Sequence, residues 1–130
     1  MPITSSIDKA RRLVISLGSG TLTALDLRNA QVLVRTDPAF DPAFAQLFDV
    51  RAVTRLQFTA EDVMGQARNT PLARGSRRAF VVSSVEQAGL ARMFQAYIGA
   101  DDKTFRVFES PDEALRWLMS PPSADAESEV

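Results

Sequence analysis

Hydroxyl side chains and arginines are the groups through which this sequence can do chemistry, and that chemistry is recognition of an anion or a polar headgroup. The hydroxyls cluster in short phrases, Ser19-Gly20-Thr21, Ser83-Ser84 and Ser110, and Arg51 stands alone between apolar runs. Imidazole and thiolate mechanisms are excluded outright, because the chain has no histidine and no cysteine. With them go disulfides and zinc sites built on thiolates. Asp49, Glu109 and the other carboxylates are spaced with no identifiable nucleophile between them, so no hydrolytic pair is indicated. Gly18-x-Gly20 does not extend into a dinucleotide fingerprint, since the third glycine position holds Thr23, and no lysine follows to make a phosphate loop. Arg68, Arg74, Arg77 and Arg78 gather around one loop without interleaved aromatics for base stacking, and the reading they favour is a solvated loop, with an anion-binding patch as the alternative. These residues point to a non-enzymatic protein with no cofactor and no metal.

Composition agrees with that reading. The 130 residues suit one domain, large enough to bury a core without staples. Net charge is −1. Three of the acids, Asp125, Glu127 and Glu129, lie in the last ten residues, so the rest is slightly basic, too weakly for nucleic acid to be a partner. Among 15 basic residues only Lys9 and Lys103 are lysines, a bias that reflects genome composition more than phosphate binding. The first twelve residues are polar and lack the apolar region of a secretory signal. No apolar run reaches the roughly 20 residues of a bilayer span. A cytoplasmic location is expected.

The elements that must position these groups alternate in type. Ile3–Ile7 and Leu13–Leu17 read as strands around Asp8-Lys9-Ala10, the first an edge strand and the second covered on both faces, ended by Gly18-Ser19-Gly20. Thr23 with Asp26 is a capping-box start for a helix over 24–35, which Asp37-Pro38 stops. A tetrapeptide repeat follows, Asp37-Pro38-Ala39-Phe40 and Asp41-Pro42-Ala43-Phe44; its two phenylalanines pin the connection to the core. Gln46–Val50 is a third strand, and Thr59 with Asp62 opens a second helix running to Asn69. Ala79-Phe80-Val81-Val82 is the clearest buried strand. Ser84 caps a third helix, whose stripe Leu90, Met93, Phe94, Tyr97 and Ile98 faces the core until Gly99 stops it. Thr104–Phe108 is the last strand, and Ser110-Pro111-Asp112-Glu113 starts a fourth helix carrying Leu115, Trp117 and Leu118. The pattern predicts an α/β domain over 1–120, with a mostly parallel, mixed five-stranded sheet, an antiparallel N-terminal edge strand and four main helices. Residues 121–130 read as an acidic disordered tail.

In open α/β sheets ligands collect beyond the carboxyl ends of the parallel strands. That crest should hold Ser19, Gly20, Thr21, Arg51, Ser83 and Ser84, with Glu109 and Ser110. These residues suit a weak anion or headgroup site. They also suit plain capping and turning, the simpler of the two jobs.

Several phrases, in order, resemble the SpoIIAA-like family of bacterial domains, within the wider STAS and Sec14-type group and in a subfamily without characterised function. They are Arg12-Leu13-Val14-Ile15 leading to Gly20-Thr21-Leu22-Thr23, Asp41-Pro42-Ala43-Phe44 with Leu47-Phe48-Asp49, and Ala79-Phe80-Val81-Val82. Gly89-Leu90-Ala91-Arg92-Met93-Phe94, Val107-Phe108 and Glu113-Ala114-Leu115-Arg116-Trp117-Leu118 complete the set. The resemblance covers nearly the whole chain except the tail. It implies docking of a protein partner or a homodimer, or binding of a small apolar or lipid-like ligand. In the anti-sigma antagonists of that group a serine at a helix start is phosphorylated. The corresponding aspartate-serine pair falls at Gln57-Phe58, with Thr59 next, so the resemblance implies that the switch is lost and that Thr59 caps its helix instead. The resulting expectation is a module that docks a protein partner. The alternative is a carrier whose helix-sheet pocket is lined by Phe40, Phe44, Phe58, Met93 or Phe94.

Overall fold

The computed structural model describes residues 2–121, so the acidic tail from Pro122 onward lies outside the described residues. The elements are β1 (Ile3–Asp8), β2 (Leu13–Thr23), α1 (Ala24–Thr36), β3 (Ala45–Gln57), α2 (Ala60–Arg68), β4 (Arg78–Val81), α3 (Val85–Ile98), β5 (Phe105–Phe108) and α4 (Pro111–Leu118). The strands lie side by side in chain order, β1 antiparallel to β2 and the remaining neighbours parallel. Every strand-helix-strand passage therefore steps in one direction. Crossovers of the usual right-handed sense then put α1, α2 and α3 on one face of the sheet. Only α4, which follows the last strand, is left to cover the other.

The local signals act as read. Thr23 and Thr59 each accept a hydrogen bond from the backbone N–H of the residue three places on, and Asp26 and Asp62 return the bond to the cap. Ser84 and Ser110 cap α3 and α4, and Gly99 ends α3 in the left-handed conformation that glycine adopts without strain. In the Asp-Pro repeat, Asp37 and Asp41 each accept from the backbone two residues on, and Phe40 and Phe44 meet edge to face at 6.3 Å, Phe44 buried against Val14 and Val34.

Two strands are longer than expected. β2 does not end at Gly18-Ser19-Gly20 but continues to Thr23, and β3 does not stop at Val50 but continues to Gln57, because the two stay paired to the end. The glycines bend this ribbon. A Cβ on Gly18 would stand 3.1 Å from a methyl of Val53, and Gly20, at φ +65°, marks a shift of register. Helix α3 also sits rotated from its expected face. Gln87 and Ala91 are buried and Phe94 and Ile98 partly so, whereas Met93 and Tyr97 are exposed. Its buried line follows i, i+4, i+7 and i+11, the row a straight helix lays against a sheet.

The two layers are unlike. Under α4 lie Leu13, Leu47, Ala79 and Val81, closed by Ala114, Trp117 and Leu118. Under α1–α3 lie Leu22, Val50, Val53 and a ring cluster, with Phe80 at 5.4 Å from Phe48, 5.3 Å from Phe105 and 6.0 Å from Phe94. Each such ring contributes roughly 2–3 kcal/mol by leaving water.

Candidate ligand-binding site

Strand alternation sends residues 78 and 80 of β4, and 46, 48 and 50 of β3, toward α1–α3. Two of these inward positions carry polar side chains, Gln46 and Arg78, which are register partners across β3 and β4. Ser16 on β2 and Ser5 on β1, also register partners, continue the polar line. The Ser5 and Ser16 hydroxyls are 2.9 Å apart, and Gln46 Nε2 donates to Ser16 Oγ at 3.3 Å. A polar row thus crosses four adjacent strands inside an otherwise apolar layer.

Over that row the helices leave a cavity of about 70 Å³, counted as the space open to the centre of a water-sized sphere. One water needs on the order of 10–15 Å³ by that measure, so there is room for roughly five. Most of the wall is apolar, with Leu22, Leu27, Phe48, Val63, Phe80 and Phe94 prominent. Gln31 of α1 donates to the Gln66 carbonyl of α2 at 3.0 Å, and both line the space. The Gln66 side-chain oxygen is buried without a hydrogen-bond partner. Such an orphan costs roughly 1–3 kcal/mol and is met in native proteins mainly where water or a ligand supplies the donor.

Arg78 is the charged group of this wall. Only 4% of it is exposed. Its guanidinium donates to Thr70 Oγ1 at 2.9 Å and lies 5.6 Å from the centre of the Phe94 ring. No carboxylate among the described residues forms an ion pair with it. Burial accordingly pulls its pKa down to about 10. The solvated loop expected for this arginine cluster is corrected at two of its members. Arg68 and Arg74 are exposed, but Arg78 is in the core and Arg77 packs on α4. The reason is that Arg78 belongs to β4 and not to the loop before it.

The crest residues are placed elsewhere. Ser19, Gly20 and Thr21 are inside β2, paired with Ala52, Val53 and Arg55. Arg51 lies on the opposite face to the cavity and makes a 2.8 Å ion pair with Asp49. Burial pushes the Asp49 carboxyl up, but hydrogen bonds from the Arg51 side chain and backbone, together with the guanidinium charge, outweigh this and leave it below its ordinary value. Arg51 touches two shallow surface depressions, one shared with Ser19 and the other with Ser83 and Ser84. Ser83 Oγ donates to the Arg51 carbonyl, and Ser84 Oγ accepts from Gln87 N. Gln87 ties this end together, accepting from Ser83 N at 2.7 Å and donating to the Val53 carbonyl at 2.9 Å. Phe58 packs on the core and Thr59 caps α2, with neither in the cavity. Of the five side chains expected around a helix-sheet pocket, Phe94 alone lines this one; Phe40, Phe44, Phe58 and Met93 do not. Sequence reasoning passed over Ser16 and Gln46 and assigned Arg78 to a solvated loop. The signal was a polar residue in step with buried ones, Ser16 with Val14, Gln46 with Phe48 and Arg78 with Phe80.

No family model matches the chain, and no curated protein matches it. Among solved structures the chain is similar to an uncharacterized protein of the DUF3478 family from Shewanella loihica PV-4, described as having a SpoIIAA-like fold. The TM-score is 0.63 at 20% identity, over 89% of this chain and 93% of that one. The fold is SpoIIAA-like. An identity that low carries the architecture and no activity. The SpoIIAA-like sheet, with its antiparallel β1-β2 pair and four helices, is the arrangement expected from the element order. Among the described residues, no helix of this SpoIIAA-like domain is long and apolar enough to cross a membrane.

Proposed function

We propose that this chain is a cytoplasmic bacterial binding module and not an enzyme, and that it holds a small, mainly apolar ligand between the sheet and α1–α3. The observation that carries the reading is the cavity of about 70 Å³ over a polar row in an apolar layer. The apolar side chains around it forgo contacts with one another that closer packing would give. A ligand that fills it returns that loss on binding. The polar groups inside are few and converge, the usual composition of a small-molecule pocket. Support for a non-enzymatic role is that the titratable groups with displaced pKa values, Asp49, Arg51 and Arg78, do not meet in one place: the first two pair with each other across the sheet from the third. Titration with a neutral apolar probe such as 1-pentanol, followed by backbone amide NMR, tests the proposal. Shifts should concentrate at Ser16, Gln46, Phe80 and Phe94. Shifts scattered over the surface, or none, would defeat it.

Docking of a protein partner is the second reading. It rests on the outer side of α1, where Leu25, Val32 and Leu33 are 62%, 44% and 54% exposed. Their i, i+7 and i+8 spacing lays them along one stripe. Leu33→Glu should weaken association with a docked chain in sedimentation, and identical monomeric behaviour of both proteins at high concentration would argue against it.

A further inference from the structure

Resting on the cavity reading, we infer that the ligand is a small carboxylate with an apolar body, its carboxyl group seated against Arg78 and its hydrocarbon part among Leu22, Leu27 and Phe94. A guanidinium offers five donors, and the described structure gives this one a single hydroxyl, from Thr70, and an aromatic face. Burying a cation with so few partners is costly, and proteins offset that cost with an opposite charge and hydrogen bonds in good geometry. No carboxylate of the described chain supplies either, yet the guanidinium lies at the wall of the cavity.

The wall also sets what kind of anion fits. Arginine presents a planar fork that matches the two oxygens of a carboxylate. Among the described residues Arg78 is the one cationic group lining the cavity, so a single negative charge is balanced and a phosphate dianion is not. The remaining lining is mostly hydrocarbon and aromatic, which excludes a strongly hydrated anion and favours an alkyl or aryl body. Room for roughly five waters limits the ligand to a short chain, about the size of pentanoate. Gln46 stands beside the arginine on the neighbouring strand, and its bond to Ser16 on β2 extends the polar end.

The test compares pentanoate with 1-pentanol on the intact protein, by amide NMR titration. Pentanoate should bind at least tenfold more tightly than the alcohol. In Arg78→Met that preference should vanish through loss of pentanoate binding, with 1-pentanol bound as well as before or better. Equal binding of acid and alcohol to the native protein would overturn the carboxylate assignment and leave the apolar cavity standing. Binding of neither would overturn both, as expected of a cavity that serves only to hydrate Arg78. A second measurement needs no variant: pentanoate labelled with 13C at its carboxyl should titrate below its free value when bound. A raised or unchanged value would remove Arg78 as its partner.

Discussion

Arg77 and Arg78 are neighbours in the chain and opposites in the fold. Arg77 lies on the α4 side, 5.3 Å from the centre of the Trp117 ring, and donates to the carbonyls of Trp117 and Ser120 at 2.9 and 2.8 Å. It satisfies the open end of a helix, where uncapped carbonyls and the dipole both favour a cation. Arg106 approaches the same ring from β5, at 4.9 Å. Arg78, one residue on, enters the other layer with a single hydroxyl partner. The first arrangement is what a stabilising arginine looks like. The second carries a cost in stability, since a buried charge without an ionic partner weakens a fold.

That contrast can be broken at several points. The largest change is expected on the closed side, where Trp117→Ala should lose about 3–5 kcal/mol in urea unfolding, because Leu13, Leu47 and Ala79 cannot collapse into the space. A loss under about 1 kcal/mol, the usual scale of a minor core change, would mean that α4 is a loosely held flap.

Arg78→Met should do the reverse and raise stability by about 1–3 kcal/mol, since a flexible apolar side chain of similar length replaces a desolvated charge. The pH dependence has a definite sign. With its folded pKa lowered to about 10 and its unfolded value higher, Arg78 binds more proton in the unfolded chain across that interval. The native protein therefore gains stability relative to Arg78→Met as pH rises above about 10, and the gap between them closes. Unfolding of both proteins about one pH unit below and one above that value measures it. A variant less stable than the native protein on the lower side would make Arg78 a structural residue.

Arg77→Ala should lose about 1–2 kcal/mol through its carbonyl bonds and its ring contact. Opposite signs for two adjacent arginines are the sharpest form of the comparison, and equal signs would dissolve it.

The smallest effect belongs to the Asp49–Arg51 pair on the surface. Asp49→Asn should differ from the native protein only slightly at neutral pH. Because the folded pKa of Asp49 is lowered, its contribution is present above the unfolded value and is lost as pH falls through the folded one. The two proteins should become equally stable in strong acid, and a difference that widens there would contradict the pairing.

Much of the architecture is legible in the sequence. The caps at Thr23, Thr59, Ser84 and Ser110, and the stop at Gly99, are short-range chemistry that needs no partner from elsewhere in the chain. Alternation of strand and helix dictates the sheet type in the same way. The ends of β2 and β3 are not legible, because Ser19 to Thr23 and Arg51 to Gln57 are held extended by each other across the ribbon, a long-range pairing that neither segment announces. The residues placed at the crest by sequence were drawn from those same segments, which explains why several of them are strand residues in the structure.

The cavity shows the same division. Composition by itself settles that imidazole and thiolate play no part, and periodicity indicates which runs are buried. Four polar residues on four strands became one row only through register, and adjacent arginines were sent to opposite layers only by the pleat and by where β4 begins. Local sequence determines what a segment is, because its bonds close within a few residues. Which side chains share a space is decided by pairing between distant strands, and the site is made there.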